Sequence, residues 1–449
     1  MKADAAIARR RRALAALFIA AFALSQGLLW YAYYGHGAKA LIGDELTYQQ
    51  TALSILGGGA WMPSTIWPPL QPLLLAALYA LFGAHVLVAQ VAQTLLFVAC
   101  GALLRDIWRR FGASVAAANT AAALFLLDPG IAAYAHWLWP EVPHLFLLLA
   151  ALALLLRARA FAAGLCIGLA LLAKSLLSLF WPVLAVLLVP RARPLAGVRL
   201  VATFTLGIGL VTAPALLHGW REYGKPMIAD SSIYNLWVGL GDRWRSDYVA
   251  DMGGRTLPEF LASADTPQAR NAIYLDKVRA LVAERGVVDV AAAQFGRQYF
   301  RLFSAKTPLV SQLPGPACAG HLSAYATSPA LASALRRGND AFHALILVAA
   351  AFGIAAWRRR PDRLLLVLAL FAGYQLALFA LIHVKARFLL PLLPFLCGFA
   401  GSFLAALHRR RVDDAIAMTP VRLAVGGALA ALLLFLAFAG PALDRLCAG

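Results

Sequence analysis

The sequence predicts an all-α polytopic membrane protein, and three observations carry that prediction. The first is composition: 62% of the 449 residues are hydrophobic and 14% are charged, whereas soluble domains carry about 25% charged residues. The second is spacing. The apolar residues gather in runs of roughly 17–20, the length that crosses about 30 Å of hydrocarbon as a helix. The third is where the charge lies. The net charge of +19 sits in short arginine clusters between apolar runs, the pattern left by loops held in the cytoplasm. In a soluble chain such a charge would raise nucleic acid as a partner; here its placement marks topology instead, and no nucleic acid is expected.

Taken in order, the long apolar runs lie at 13–32, 86–104, 113–127, 142–156, 161–173, 176–189, 200–217, 341–357, 364–382, 388–407 and 423–439. A shorter run at 70–82 follows Pro68-Pro69. The basic clusters are 9–12, 105–110, 157–159, 191–199, 358–363 and 409–411. Placing all of them in the cytoplasm requires an even number of crossings between each pair. Between 12 and 105 there are three runs, so one does not cross. The shortest, 70–82, is therefore expected to lie at the outer interface as a juxtamembrane helix. That leaves about eleven membrane-spanning helices, with the N-terminus inside and the C-terminus outside. The same parity favours residues 161–189 crossing twice, as two short helices with Lys174 at their outer turn. The alternative is one long tilted helix with Lys174 in lipid, which would put the clusters at 358–363 and 409–411 outside.

The domain reading follows. Residues 1–217 form an N-terminal transmembrane module whose first outer loop is 33–85. Residues 218–340 are an outer loop, in which 268–303 shows helical periodicity through Ile273, Val278 and Leu281; amphipathic helices lying on the membrane are expected there. Residues 341–449 are C-terminal transmembrane helices. Arginines 9–12 followed by an apolar run read as an uncleaved signal anchor. Cys100, Cys166 and Cys397 fall in apolar runs and read as packing residues, while Cys318 and Cys447 fall outside. No internal repeat is visible, which disfavours the repeat-built transporter folds.

Chemistry-bearing residues concentrate on the outer side. Asp44 and Glu45 are adjacent carboxylates whose side chains diverge, so one can face a site while the other holds the loop. A carboxylate beside an apolar surface can act as a general base; equally, Asp44 can cap a helix through residues 49–56 that Gly57-Gly58-Gly59 stops. Trp67 before Pro68-Pro69 suits both a helix start and a headgroup-level aromatic. Glu141 opens a membrane helix just after His136-Trp137-Leu138-Trp139-Pro140. An acid at that depth is either a site residue or a helix-dipole cap. Lys174 is the one charge between Arg159 and Arg191, and it either snorkels or binds a phosphate. His383, Lys385 and Arg387 form a basic cluster where outer loops should be poor in cations. That invites an anionic lipid phosphate, or ordinary headgroup contact. No Walker, CxxC, HExxH or G-x-S-x-G motif is present, so no metal-ligating set is named and a divalent ion is left open.

In their order along the chain these residues resemble the C-type membrane glycosyltransferases. The nearest groups are the protein O-mannosyltransferases and the bacterial aminoarabinose transferases that modify lipid A. The resemblance rests on Asp44-Glu45 followed by Tyr48, on Pro68-Pro69-Leu70 opening a helix that ends at Phe82-Gly83, and on Glu141. It rests further on Gly168-Leu169 leading to Lys174, and on Arg387-Phe388-Leu389-Leu390-Pro391 continuing to Pro394. It covers roughly residues 10–220 and 340–410. Trp67 departs from the pattern, which usually has a basic residue or His before Pro-Pro.

The resemblance implies a GT-C-like fold and transfer of a sugar from a polyprenyl-phosphate donor to an acceptor on the periplasmic side of a bacterial inner membrane, with inversion. It implies Asp44 as base, with Glu45 beside it, and Tyr48, Glu141, His136 and Trp67 as substrate contacts. Lys174, Arg387, Lys385 and His383 would hold the donor phosphate. The expected partners are the polyprenyl-phosphate sugar, membrane lipids and a glycan, lipid or protein acceptor. Two rivals are a lipid-linked sugar flippase or other transporter, and a non-catalytic envelope assembly protein. A transporter would need polar residues through the membrane midplane, which these helices lack.

Overall fold

The computed structural model describes residues 2–35, 41, 44–188, 194–241, 256–305, 329–358, 363–409 and 416–439. These residues are all-helical, apart from one isolated bridge between Trp357 and Ile416. Cys318 and Cys447 lie outside the described residues.

The N-terminal half begins with α1 (Lys2–Tyr34), α2 (Asp44–Leu56) and α3 (Leu70–Phe82), then α4 (Val86–Arg110) and α5 (Val115–Leu127). Helix α3 keeps the bounds its sequence signals predict. Pro69 precedes its first turn, where a missing N–H costs nothing. Gly83 ends it at φ 89°, a conformation that L side chains rarely adopt. Ser114 caps α5 by accepting from the Ala117 N–H at 3.2 Å. A short α6 (Pro129–Ala133) follows, capped by the Asp128 carboxylate on Ile131 N–H at 2.9 Å. Next come α7 (Glu141–Leu155) and α8 (Ala160–Ala173).

Residues 175–188 differ from the expected second short helix. They form 3₁₀ turns at Ser175–Leu177 and Ala185–Leu188 around α9 (Trp181–Leu184), only four residues long. Pro182 removes a backbone donor there. Ser178 Oγ donates to the Ser175 carbonyl at 2.6 Å. The broken stretch nevertheless runs back along its neighbour α16 (Arg363–Phe379): Tyr374 donates to the Leu176 carbonyl at 2.7 Å and Arg363 to the Val186 carbonyl at 3.3 Å. Irregular backbone at this depth is tolerable where protein groups satisfy it or where it lines a cavity.

The rest comprises α10 (Pro194–Tyr223), the helices α11 (Ser232–Gly241), α12 (Thr256–Ala262), α13 (Pro267–Arg285) and α14 (Val287–Ala293) of the long insertion, then α15 (Pro329–Ala356), α17 (Leu393–Arg409) and α18 (Pro420–Phe438). A 3₁₀ stretch, Ala386–Leu392, leads into α17. Among the described residues six helices are long and apolar enough to cross a membrane, or seven if the pair 115–127 and 129–136, bent by 53°, is one span. Helices α3, α7, α8 and α16 are apolar but shorter. The chain is a multi-pass membrane protein.

Packing sets where the site can form. Helices α8 and α10 meet at Gly164, where an added Cβ would overlap the Phe204 carbonyl. This is the small-residue contact that membrane helices use. Several described basic residues gather at one end. Arg157 and Arg110 both reach Asp106, at 2.9 and 3.1 Å, and Trp357 stacks on Phe111 while Arg422 donates to the carbonyls of 356 and 357. Helices α7 and α8 run between that end and the other, where Glu141 begins one and Lys174 follows the other. The insertion between α10 and α15 has its own small core. Tyr234, Trp237, Val238, Phe260, Tyr274 and Val278 close over Ile66 of the first loop.

Candidate active site

Glu141 enters the site because the stretch before it is clamped. Residues 135–138 are non-helical or 3₁₀ and fully buried, so their backbone groups must find partners inside the protein. Three glutamines supply them. Gln90 donates to the His136 carbonyl at 2.9 Å, Gln93 to the Trp137 carbonyl at 2.7 Å and Gln71 to the Leu138 carbonyl at 3.0 Å. Glu45 completes the clamp by accepting from the Leu138 N–H at 2.9 Å. Trp139, Pro140 and Glu141 are thereby delivered to the end of α7.

Arg387 is the hub. Its Nη2 donates to Asp44 Oδ2 at 3.0 Å, and its Nε lies 3.5 Å from Glu141 Oε1. The guanidinium covers the Trp139 ring at 4.7 Å, which favours a weakly hydrated planar cation. Lys174, released from α8 by an extended φ of −152°, donates from Nζ to the same Glu141 Oε1 at 2.8 Å. Two acids and two cations thus form one chain, Asp44–Arg387–Glu141–Lys174. Glu141 Oε2 is buried and has no hydrogen-bond partner among the described residues.

These groups line one end of a cavity of about 840 Å³, with Tyr48, Trp67, His383 and Lys385 also in its wall. The cavity extends along Leu179, Trp181, Ile208 and Thr212, on the broken stretch and the side of α10. Burial would push the Asp44 carboxyl up, but Arg387 and Lys385 more than offset this and hold it below the usual aspartate range. Burial and Arg387 together bring the Lys385 ammonium down to about 7. Burial, with Lys385 and Arg387 nearby, keeps His383 well below its ordinary value, so its ring is neutral at pH 7. Among the described residues no three His, Cys, Asp or Glu side chains converge on one point.

Eight of the ten site residues expected from sequence therefore meet in one cavity: Asp44, Tyr48, Trp67, Glu141, Lys174, His383, Lys385 and Arg387. Glu45 and His136 do not reach it. Glu45 is turned to the Leu138 N–H because consecutive side chains on α2 point different ways. His136 lies between Tyr33, stacked at 4.9 Å, and Trp30, edge-on at 4.8 Å. Conversely, the glutamine clamp and the Trp139 platform escape a reading based on charge. The available signal was Gln90 and Gln93, two amides one turn apart within an apolar run, where a polar group is costly unless bonded.

No protein-family model matches the sequence, and no curated protein matches it. The archaeal oligosaccharyltransferase AglB of Archaeoglobus fulgidus, solved with an inhibitory peptide and a dolichol-phosphate, aligns with 95% of this chain at 13% identity and a TM-score of 0.52. Its apo form aligns over the same share at 14% identity and a TM-score of 0.51. The chain has a GT-C fold. It spans 55% of the length of AglB, and the likeness at such low identity is one of fold. ArnT of Cupriavidus metallidurans aligns more loosely, over 88% of this chain and 77% of its own, at 16% identity and a TM-score of 0.39. Within this fold, the cavity lies between the α2–α3 segment, the Lys174 turn and the stretch leading into α17.

Proposed function

We propose that the chain is a membrane glycosyltransferase that moves a sugar from a polyprenyl-phosphate donor to an acceptor hydroxyl. The observation that carries the reading is Arg387 held between Asp44 and Glu141, with Lys174 and Lys385 beside it, at the head of a cavity whose far wall is apolar. Arg387 has five N–H donors. One goes to Asp44 and one toward Glu141, so three remain to face a phosphate. The apolar wall suits an isoprenoid chain.

The step is a single displacement. Asp44 takes the proton of the acceptor hydroxyl as its oxygen bonds to the anomeric carbon. The bond from that carbon to the phosphate oxygen breaks, and its electron pair leaves with polyprenyl phosphate. One base is enough for such an inverting displacement. Arg387, Lys174 and Lys385 stabilise the charge that grows on the leaving phosphate. Glu141, in the cavity wall, would orient the acceptor. Glu45 acts as a positioning residue through Leu138. The deciding measurement uses purified protein in detergent with a radiolabelled polyprenyl-phosphate sugar. Time-dependent release or transfer of the sugar supports the reading, and an intact donor with tight donor binding would leave only transport or assembly.

Lys385 makes this reading pH-dependent. Phosphate favours the charged ammonium, so the donor raises its pKa from about 7. The contribution to binding is complete below 7 and is lost as pH rises through the bound value. Donor affinity should fall by up to about tenfold per pH unit above 7. A sugar phosphodiester is the right probe, because a phosphomonoester has its own ionisation near 6. Lys385→Arg, always charged, should flatten the profile; an unchanged slope in that variant would assign the titration elsewhere.

The orientation belongs to the same reading, with the cavity on the non-cytoplasmic side of the inner membrane. In a chain with Cys318 and Cys447 changed to Ser, cysteines placed at Ala60 or Ser263 should react with an impermeant thiol reagent in intact cells. A cysteine at Arg110 should stay silent. Labelling at Arg110 would invert the topology.

A further inference from the structure

The cavity has chemically different stretches of wall, and one of them carries its own information. The end already described sets three cations, Lys174, Lys385 and Arg387, against two acids, Asp44 and Glu141. A second stretch of the cavity wall, adjoining the segment that carries Lys385 and Arg387, is the inner face of the insertion between α10 and α15. Among its described lining residues the charges are Lys225 and Asp230, and they neutralise one another: Lys225 Nζ donates to Asp230 Oδ2 at 3.0 Å. Asn271 of α13 donates to the same oxygen at 2.8 Å, and the Asp230 N–H donates to the Thr65 carbonyl at 2.6 Å. Asp230 is thus tied into the wall and its charge is satisfied. What the wall offers a ligand is the hydroxyl of Ser232, the ring of Trp67 and the amide of Asn235, whose Nδ2 also donates to Ser231 Oγ at 3.2 Å.

This wall is fixed rather than loose. The Asn235 carbonyl accepts from the His383 N–H at 3.3 Å, and Gly239 leaves no room for a side chain against the backbone of Ile382 and His383. Arg270 of α13 donates to Thr65 Oγ1 at 3.1 Å. The insertion is therefore bolted to the first loop on one side and to the segment carrying Lys385 and Arg387 on the other. Trp67 packs against both the main core and the small core of the insertion and lines the cavity.

We infer that this wall is the acceptor subsite and that it takes an uncharged glycan, not a phosphorylated, acidic or peptide acceptor. The inference rests on the glycosyltransferase reading above. An anionic acceptor would need a cation without a partner, and among the described residues of this wall the cation is Lys225, which is already paired. An uncharged sugar ring presents an apolar C–H face and a rim of hydroxyls. That face fits an aromatic platform, and the rim fits a few fixed amide and hydroxyl groups that set orientation.

The test uses the full-length protein in detergent and saturation-transfer-difference NMR with three probes: mannotriose, tri-galacturonate and a serine-containing hexapeptide. Undecaprenyl phosphate binding is measured in parallel. Mannotriose should give a transfer signal and the other two none. Trp67→Ala should weaken mannotriose binding about tenfold, Asn235→Ala about three- to tenfold, and Trp67→Phe should keep most of it. Asn235→Ala leaves the backbone bond to His383 in place, so it reports on the wall even if Trp67→Ala fails to fold. Binding of tri-galacturonate or the peptide instead, no mannotriose signal, or a signal indifferent to both alanine variants would overturn the inference. Undecaprenyl phosphate binding in those same samples would leave the donor half of the reading standing, and its absence would remove the donor reading as well.

Discussion

Asp44→Asn is expected to reduce sugar transfer by about 10²–10⁴, the usual cost of losing a general base, while the protein still folds and still binds donor. Asn cannot take a proton, yet it keeps the size of Asp and can still accept a hydrogen bond from Arg387 Nη2. The geometry also separates this result from a helix-capping role. The recorded bond of the Asp44 carboxylate runs to Arg387, 343 positions along the chain, and not to the first turn of α2. Its loss should therefore have little effect on helix stability. Donor affinity should be unchanged or tighter, because Arg387 is then less engaged by a competing carboxylate. The low pKa of Asp44 has a further consequence. The group is ionised at neutral pH, so the acid limb of the turnover profile should lie below the usual aspartate value of about 3.9. Turnover in Asp44→Asn, melting temperature in both Asp44→Asn and Asp44→Ala, and the wild-type pH profile check the argument together. Wild-type turnover in the Asn variant removes Asp44 as the base; a large drop in melting temperature with proportionate loss of activity makes it a structural ion pair.

Much of this site was legible because its residues are charges in the wrong solvent. Glu141, Lys174 and Arg387 each interrupt or flank an apolar run, and a charge there must have a partner. Proline, glycine and an apolar run of fixed length were equally readable, which is why α3 begins and ends where its sequence predicts. What was not legible depends on tertiary geometry. Which of Asp44 and Glu45 faces the cavity is set by the rotation of α2 against the 135–138 stretch, and neighbouring carboxylates look alike in one dimension. The broken return through residues 175–188 reads as an ordinary apolar run, since its freed carbonyls are satisfied by Tyr374 and Arg363 from nearly 200 residues away. The Trp139 platform and the glutamine clamp escaped for the same reason: neither residue type announces a role until the backbone it serves is in place.

Arg387→Ala should raise the dissociation constant for a polyprenyl-phosphate sugar by about 10–100-fold, because a charge-assisted hydrogen bond is worth about 1.5–3 kcal/mol. The effect on folding is separate and opposes a simple reading. Arg387 is largely buried, with its side chain 11% exposed, and it serves a Glu141 side chain that is 2% exposed. Stranding one member of such a pair typically costs about 3–5 kcal/mol. Here Lys174 still holds Glu141 Oε1 at 2.8 Å, so the cost should fall at or below the lower end of that range. Arg387→Lys separates the two effects. A lysine supplies the charge and restores stability, but it cannot donate at once to Asp44, to Glu141 and to a phosphate from a planar fork, nor stack as well on Trp139. It should melt near the wild-type temperature and still bind donor several-fold more weakly. Combining Arg387→Lys with Lys174→Ala gives a double-mutant cycle on donor affinity. If both cations hold one phosphate, the losses will be non-additive by about 0.5–3 kcal/mol. Independent losses would mean that the two residues serve different groups, and normal donor affinity in Arg387→Ala would reduce the network to a brace between the first outer loop and α17.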